Sequence, residues 1–334
     1  MTGRFWEIHA PGLHCALSDL GASIVSVQAR EARGRFTDVA LAPTNFSSGD
    51  PDPSLAGRTI GPCCGRVRDG QIQLDGAALQ LARNEGENHL HGGPNGCAYQ
   101  IWEGRRLSPA HVRFTLTLAD GLDGYPGNRA LTADYRVSGG TLSVVYSAET
   151  DAPTWLGLTN HVYWDLSGRF DGSALDQRLE VAARRVVFNG DGHLPERIAP
   201  VEGAVDFSQP ASIRENMRLE PAHPQLLLGR GYNNAYIIDH QLRRSRGCAA
   251  RLYAPGSGLQ MTLETDQPAV VLYSGGFLSG ETALEPGGAT PGCAIALEAQ
   301  PVPDPFHLPG ARPECLYPNA AYRKEIRWRF ETVR

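Results

Sequence analysis

The stretch VRFTLTL, Val112 to Leu118, decides the fold: Val112, Phe114, Leu116 and Leu118 are apolar, and Arg or Thr stands between them. A period of two puts one set of side chains on one face of an extended chain and the other set on the opposite face, as in a half-buried β-strand. The same alternation returns in QIQLDGAALQL (Ile72, Leu74), GLQMTLE (Leu259, Met261, Leu263) and EIRWRFE (Ile326, Trp328, Phe330). Between these runs lie DGLDGYPGN (120–128), SGRFDGS (167–173) and EPGGATPG (285–292). Such clusters supply the positive φ angles and fixed proline angles that turns demand. The chain has 38 Gly and 24 Pro and few segments with a sustained helical stripe, so an all-β sandwich with little helix is predicted.

Working outward, 334 residues with 41% hydrophobic content suffice for one large β-rich domain or two ordinary ones. No fixed-period repeat or low-complexity linker divides the chain. Residues 42–61, polar and rich in Pro and Ser, read as a long surface loop running into a strand, so one domain over 1–334 is expected. The formal net charge of -5 arises from mixed acids and bases without the Lys/Arg stripe that nucleic acid requires. The seven cysteines are scattered and lack CxxC spacing, which predicts a reduced, cytoplasmic protein. The N-terminus does not resemble a secretory signal and no apolar run approaches the ~20 residues that span a bilayer, so a soluble protein with no membrane partner is expected.

A β-sandwich carries its active groups on strand ends and loops. In CAIALEAQPVPD, Glu298 continues the apolar run Ala294 to Leu297 and precedes Ala299. A carboxylate there needs a partner or a task, and partial burial raises its pKa toward that of a general base. The plain alternative is a strand-end glutamate facing water. In LTNHVYW, His161 sits in a strand-like stretch where its imidazole can donate a proton near neutral pH, or simply be a core histidine satisfied by backbone groups. In NHLHGG, alternation puts His89 and His91 on one face of a strand. With Cys63, Cys64 and Cys97 near in sequence, a zinc site is a rival reading, although no recognised ligand spacing supports it. In CCGRVRDG, Arg66 offers a guanidinium fork for a ligand oxygen or for a surface acid, and Arg68 points the same way. Asn233 and Asn234 in GYNNAYII suit hydroxyl groups, or an ordinary turn.

Taken in order, these segments resemble the aldose 1-epimerase (galactose mutarotase) family. GRTIGPCCGRVRDGQIQLDGAALQL, NHLHGG, DGYPGN, LTNHVYWDL, GHLPERIAPVEGAVDF, GYNNAYII, QPAVVLYSGGFL, AIALEAQPVPD and YRKEIRWRF follow one another collinearly over nearly the whole chain. The resemblance implies a large antiparallel β-sandwich with a sugar cleft across one sheet. It implies Glu298 as catalytic base, His161 as general acid, and His91, Arg66 and Asn233 as sugar-binding groups, with no cofactor, no metal and His89 as a spacer. The partner implied is a free sugar, with the protein a monomer or homodimer.

Three positions depart from the family pattern: Asn233 stands where an aspartate is common, Val271 where some members have a sugar-binding glutamine, and Gly65 where many have asparagine. An amide in place of a carboxylate loses the charge that makes such bonds about twice as strong, so altered sugar selectivity is expected. The rival classes are a non-catalytic carbohydrate-binding or sensing protein on the same fold, an epimerase for a modified or phosphorylated sugar, and a metal-dependent isomerase or hydrolase.

Overall fold

A computed structural model of the chain describes residues 3–32, 34–43, 54–279, 284–285 and 289–333. Antiparallel sheets dominate it. The VRFTLTL run lies in strand His111–Leu118, where Val112, Phe114 and Leu118 are buried, Leu116 is half-buried and Arg113 is exposed. This strand belongs to a nine-stranded sheet ordered Glu103–Ser108, His111–Leu118, Arg129–Ser138, Thr141–Thr150, Tyr322–Thr332, Leu259–Thr265, Ala250–Ala254, Arg178–Val181, Ala211–Ser212. The other alternating runs became strands as well, QIQLDGAALQL as the hairpin Gln71–Leu74 with Ala77–Gln80.

An eight-stranded sheet packs against it, ordered Pro195–Pro200, Ala183–Asn189, Asn233–Ile238, Ala269–Tyr273, Ile295–Gln300, Tyr163–Trp164, Ala40–Pro43, Leu284–Glu285. The core runs between the two. Trp164 of the second sheet lies 5.9 Å, centroid to centroid, from Trp328 and 5.4 Å from Phe330 of the first. Burial of such large rings dominates the stability of a sandwich. A four-stranded sheet, Phe5–Ala10 to Phe36–Asp38, adds Ile8, Leu13, Leu17 and Ile24 to the same buried cluster.

Strand alternation in the second sheet separates structure from chemistry. Ile295, Leu297 and Ala299 enter the main core, whereas Ala296 belongs to a separate cluster with Tyr163 on the opposite face. Glu298 shares that opposite face, which is why a strand buried on both sides can carry a carboxylate.

The described α-helices are short: Ile213–Leu219, Pro224–Gly229 and His240–Arg246. Each begins on a side-chain cap from Ser212, His223 or Asp239, and the second has Pro224 in its first turn. The expected surface loop 42–61 is only partly described, since 44–53 lie outside the described residues. Ser54–Gly61 are buried, not a surface segment, because Thr59–Ile60 pairs with Thr159–Asn160 beneath the second sheet.

Candidate active site

The outer face of the eight-stranded sheet forms the floor of a cavity of about 570 Å³. Strand register fixes its layout. Ala235, Val271 and Glu298 are cross-strand neighbours in one row, and Asn233, Tyr273 and Ala296 in the next, which continues to Tyr163. The cavity meets all five residues that the sequence singled out: Glu298, His161, His91, Arg66 and Asn233.

His161 does not sit within a continuous strand, as its apolar neighbours suggest. It lies at the break between Thr159–Asn160 and Tyr163–Trp164, which pair with different neighbours. Its N–H donates to Arg58 O at 2.9 Å and its carbonyl accepts from Gly57 N–H at 3.0 Å. The backbone is thereby held on the 57–58 segment while the ring turns over Tyr163, 4.9 Å between centroids.

His161 Nε2 stands 3.6 Å from Glu298 Oε1, close but beyond hydrogen-bond length. Both side chains are almost wholly buried. Among the described residues, His161 Nδ1 and Glu298 Oε2 have no hydrogen-bond partner. Burial disfavours the charged form of each, pushing Glu298 up to about 8 and His161 down to about 4. Near neutral pH the two groups together therefore hold one proton between them.

The two histidines of NHLHGG part company. Strand His89–Leu90 ends before His91, whose φ of 52° breaks the alternation, so the expected common face is lost. His89 Nδ1 is 2.6 Å from Ala82 O, and its Nε2 is 2.8 Å from Tyr125 Oη, so both ring nitrogens are occupied in the interior. His91 instead lines the cavity. Gly65 N–H donates to His91 Nδ1 at 3.2 Å, and His91 N–H donates back to Gly65 O at 3.1 Å. The ring is neutral, since burial and then the nearby His161 and Arg66 hold its pKa well below the usual value. Nε2 is therefore the protonated nitrogen and a donor. Gly92 makes this approach possible: a Cβ there would lie 2.0 Å from Gly61 O.

Arg66 is clamped by an acid that the sequence did not reveal. Its Nε and Nη2 each donate to Glu85 at 2.6 Å, a bidentate pair that fixes the guanidinium plane at the cavity wall. Arg68 does not share this role. A 3-10 turn at Arg68–Gly70 ends the strand, so Arg68 is absent from the cavity lining. Asn84 orders the same loop, its Oδ1 accepting from Leu90 N–H at 2.7 Å.

The sequence also missed Tyr273, Asn189 and His193, which line the cavity. Tyr273 Oη accepts from Phe277 N–H at 2.8 Å, and burial pushes its pKa up to about 12, so it stays a neutral phenol. Strand register brings Tyr273 beside Asn233, whereas Asn189 ends its strand and His193 closes the 3-10 turn Asp191–His193 that follows, so only the folded chain brings the three to one cavity. Among the described residues there is no group of three or more His, Cys, Asp and Glu placed to hold a metal. Cys63 and Cys97, which the zinc reading needs as thiolates, are driven by burial to about 11 and about 12. No described helix is long and apolar enough to cross a membrane.

The sequence model of the Aldose 1-epimerase family matches residues 4–329. A galactose mutarotase from Bos taurus is 29% identical, over 99% of this chain and 95% of its own. An aldose 1-epimerase from Escherichia coli strain K12 is 27% identical, over 96% of this chain and 92% of its own. Among solved structures, an aldose epimerase homologue from C. elegans superposes with a TM-score of 0.89 at 26% identity, covering 99% of this chain and 100% of that one. A galactose 1-epimerase from Lactobacillus acidophilus gives 0.83 at 25% identity, with both chains covered completely.

Proposed function

The chain belongs to the aldose 1-epimerase family, a family of isomerases, and on that premise we propose that it interconverts the α and β anomers of a free aldose, with Glu298 and His161 as the proton-transfer pair. The observation that carries this reading is the meeting of a buried carboxylate and a buried imidazole, 3.6 Å apart, on the floor of a cavity of about 570 Å³. A protein that merely binds sugar has no use for two buried, mutually unbonded titratable groups, whose burial costs stability.

The chemistry needs one base and one acid. In the free chain burial leaves the pair's one proton on Glu298; with the sugar seated it passes to His161, and Glu298, as carboxylate, takes the proton from the C1 hydroxyl while His161, as imidazolium, gives one to the ring oxygen. The bond from C1 to the ring oxygen breaks and a free aldehyde forms. The two sugar oxygens share carbon C1, so the two protein groups must be near neighbours. Rotation about C1–C2 presents the other face of the aldehyde, and closure returns both protons with the roles exchanged. The pair holds one proton at the start and one at the end, so no cofactor takes part in the cycle. Each transfer contributes roughly 10² to 10⁴ in rate. His91 Nε2–H and the Arg66 guanidinium donate to the ring oxygen and its neighbours, and Asn233 takes a hydroxyl group. Residues 1–334 act as one domain in this scheme, supported by a buried cluster that includes residues of both large sheets.

The test is polarimetry or proton NMR of freshly dissolved α-D-galactose and α-D-glucose. The native chain should speed equilibration, and Glu298→Gln and His161→Asn should each lower kcat by roughly 10² or more while sugar binding remains measurable. Rates unchanged in either variant would refute the role of the residue replaced. Absence of activity on a broad panel of hexoses and pentoses would refute the reaction.

A further inference from the structure

Strand Ala183–Asn189 pairs with Asn233–Ile238 only as far as Val186 opposite Tyr236. Beyond that point, at the cavity, no ladder joins the two strands and side-chain amides bridge them. Asn234 Nδ2 donates to Val187 O at 3.0 Å, and Asn189 Nδ2 donates to Asn233 O at 2.7 Å. Gln225, buried in the first turn of helix Pro224–Gly229, ties the backbone of Asn189 to the Asn234 side-chain amide. Its Oε1 accepts from Asn189 N–H at 2.8 Å and from Asn234 Nδ2 at 2.7 Å, and its Nε2 donates to Asn189 O at 2.8 Å.

Strand alternation aims Asn189 at the cavity. Its pairing with Pro195–Pro200 shifts register between Phe188 and Asn189, but the extra residue is Glu196 on the partner strand, so the period of two is kept through Asn189. Asn189 lies two residues beyond Val187, which packs with Ala235, Ile237 and Val271 on the cavity face of the sheet. Among the described residues, neither Asn189 Oδ1 nor the Asn233 carboxamide has a hydrogen-bond partner. Both residues line the cavity.

Resting on the epimerase reading, we propose that Asn189 is a second sugar-binding carboxamide, fixed beside Asn233 by the buried Gln225, and that the pair receives uncharged hydroxyl groups remote from the reacting carbon. Between this pair and Glu298 the floor is Ala235 and Val271, which offer no hydrogen bond. The polar groups at this end are the two amides, each able to donate and accept, with the Tyr273 phenol beside Asn233 and His193, whose pKa burial lowers; all are neutral near pH 7. Gln225 does not reach the cavity and acts as a positioning residue. Aspartate's loss at 233 is compensated by the number of amides, without charge. The substrate class is a neutral polyhydroxy sugar rather than a uronate or sugar phosphate.

The experiment compares the native chain, Asn189→Ala and Gln225→Leu on D-galactose, D-glucose and their 2-, 3-, 4- and 6-deoxy forms. In the native chain, removing one particular hydroxyl should cost about tenfold in kcat/KM, the scale of a neutral hydrogen bond. In Asn189→Ala the same removal should cost less than about twofold, because the partner is already gone. Gln225→Leu should raise KM by about threefold or more with kcat and the pH profile little changed, the signature of lost ground-state binding. A purely structural role for Gln225 would lower the melting temperature and leave KM alone, which overturns its assignment. Should Gln225→Leu not fold, the Asn189 arm decides. Equal losses on every deoxy sugar in native and Asn189→Ala enzyme overturn the Asn189 assignment while the epimerase reading stands. A native chain inactive on every sugar overturns both.

Discussion

Replacing Glu298 with Gln removes the titrating group but keeps its shape, and the effect on stability follows from burial. In the folded chain Glu298 holds its proton up to about pH 8, whereas the unfolded chain releases it near the ordinary value of 4.5. Between those limits the unfolded state binds fewer protons, so the native chain loses stability as pH rises through that window. At about 1.4 kcal/mol per pH unit, the loss reaches about 5 kcal/mol by pH 8 and grows no further above it. With about 2.1 cal/mol/K of unfolding entropy per residue, this corresponds to a melting temperature lower by about 7 °C. Glu298→Gln lacks this penalty. Thermal unfolding of both proteins from pH 4 to 9 should show the variant gaining on the native chain by that amount, while polarimetry shows its turnover lost. A difference in melting temperature that stays constant over the range would mean that Glu298 ionises near its ordinary value, and the account of a proton held by burial would fail.

The remaining expectations concern other parts of the molecule. The native pH–rate profile should be a bell with a flat top. It falls above about 8 as the Glu298–His161 pair loses its one proton, and below about 4 as a second proton binds, so a profile centred elsewhere contradicts the pair. The Arg66–Glu85 pair is 20% and 36% exposed, and such pairs contribute roughly 0–1 kcal/mol. Glu85→Gln should therefore shift the melting temperature by about 1 °C or less, yet raise KM by freeing the guanidinium; an unchanged KM would show that the clamp does not serve binding. Trp328→Ala, at the junction of the two sheets, should cost about 3–5 kcal/mol in chemical denaturation.

The alternating runs could be read from sequence because their period reflects local geometry: Val112, Phe114 and Leu118, Leu259, Met261 and Leu263, and Ile326, Trp328 and Phe330 are all buried, each set on one face of its strand. Glu298 could be read for a related reason, since a carboxylate inside an apolar run is conspicuous. What stayed hidden depends on long-range register or on single backbone angles. Nothing near NHLHGG announces that His91 adopts a left-handed φ while His89 is consumed by Ala82 and Tyr125. Glu85 meets Arg66 only because the loop 84–90 folds back beside strand Arg66–Val67. Asn189 and Gln225 are 36 residues apart and look like ordinary loop polar residues until they bond. The break at His161 was likewise masked by its apolar neighbours, which continue the strand pattern on either side of a chain that changes partners.

The strand Ile295–Gln300 pairs with Ala269–Tyr273 along its length on one side. On the other it meets Tyr163–Trp164, and the Thr159 hydroxyl donates to Ala299 O at 2.7 Å. Amide hydrogens in such a segment exchange only when much of the molecule opens. In rising denaturant, the disappearance of turnover should then coincide with the loss of ordered structure seen by circular dichroism. The carboxylate then keeps its place until the sheet itself gives way, and an inhibitor has little chance of prying it loose.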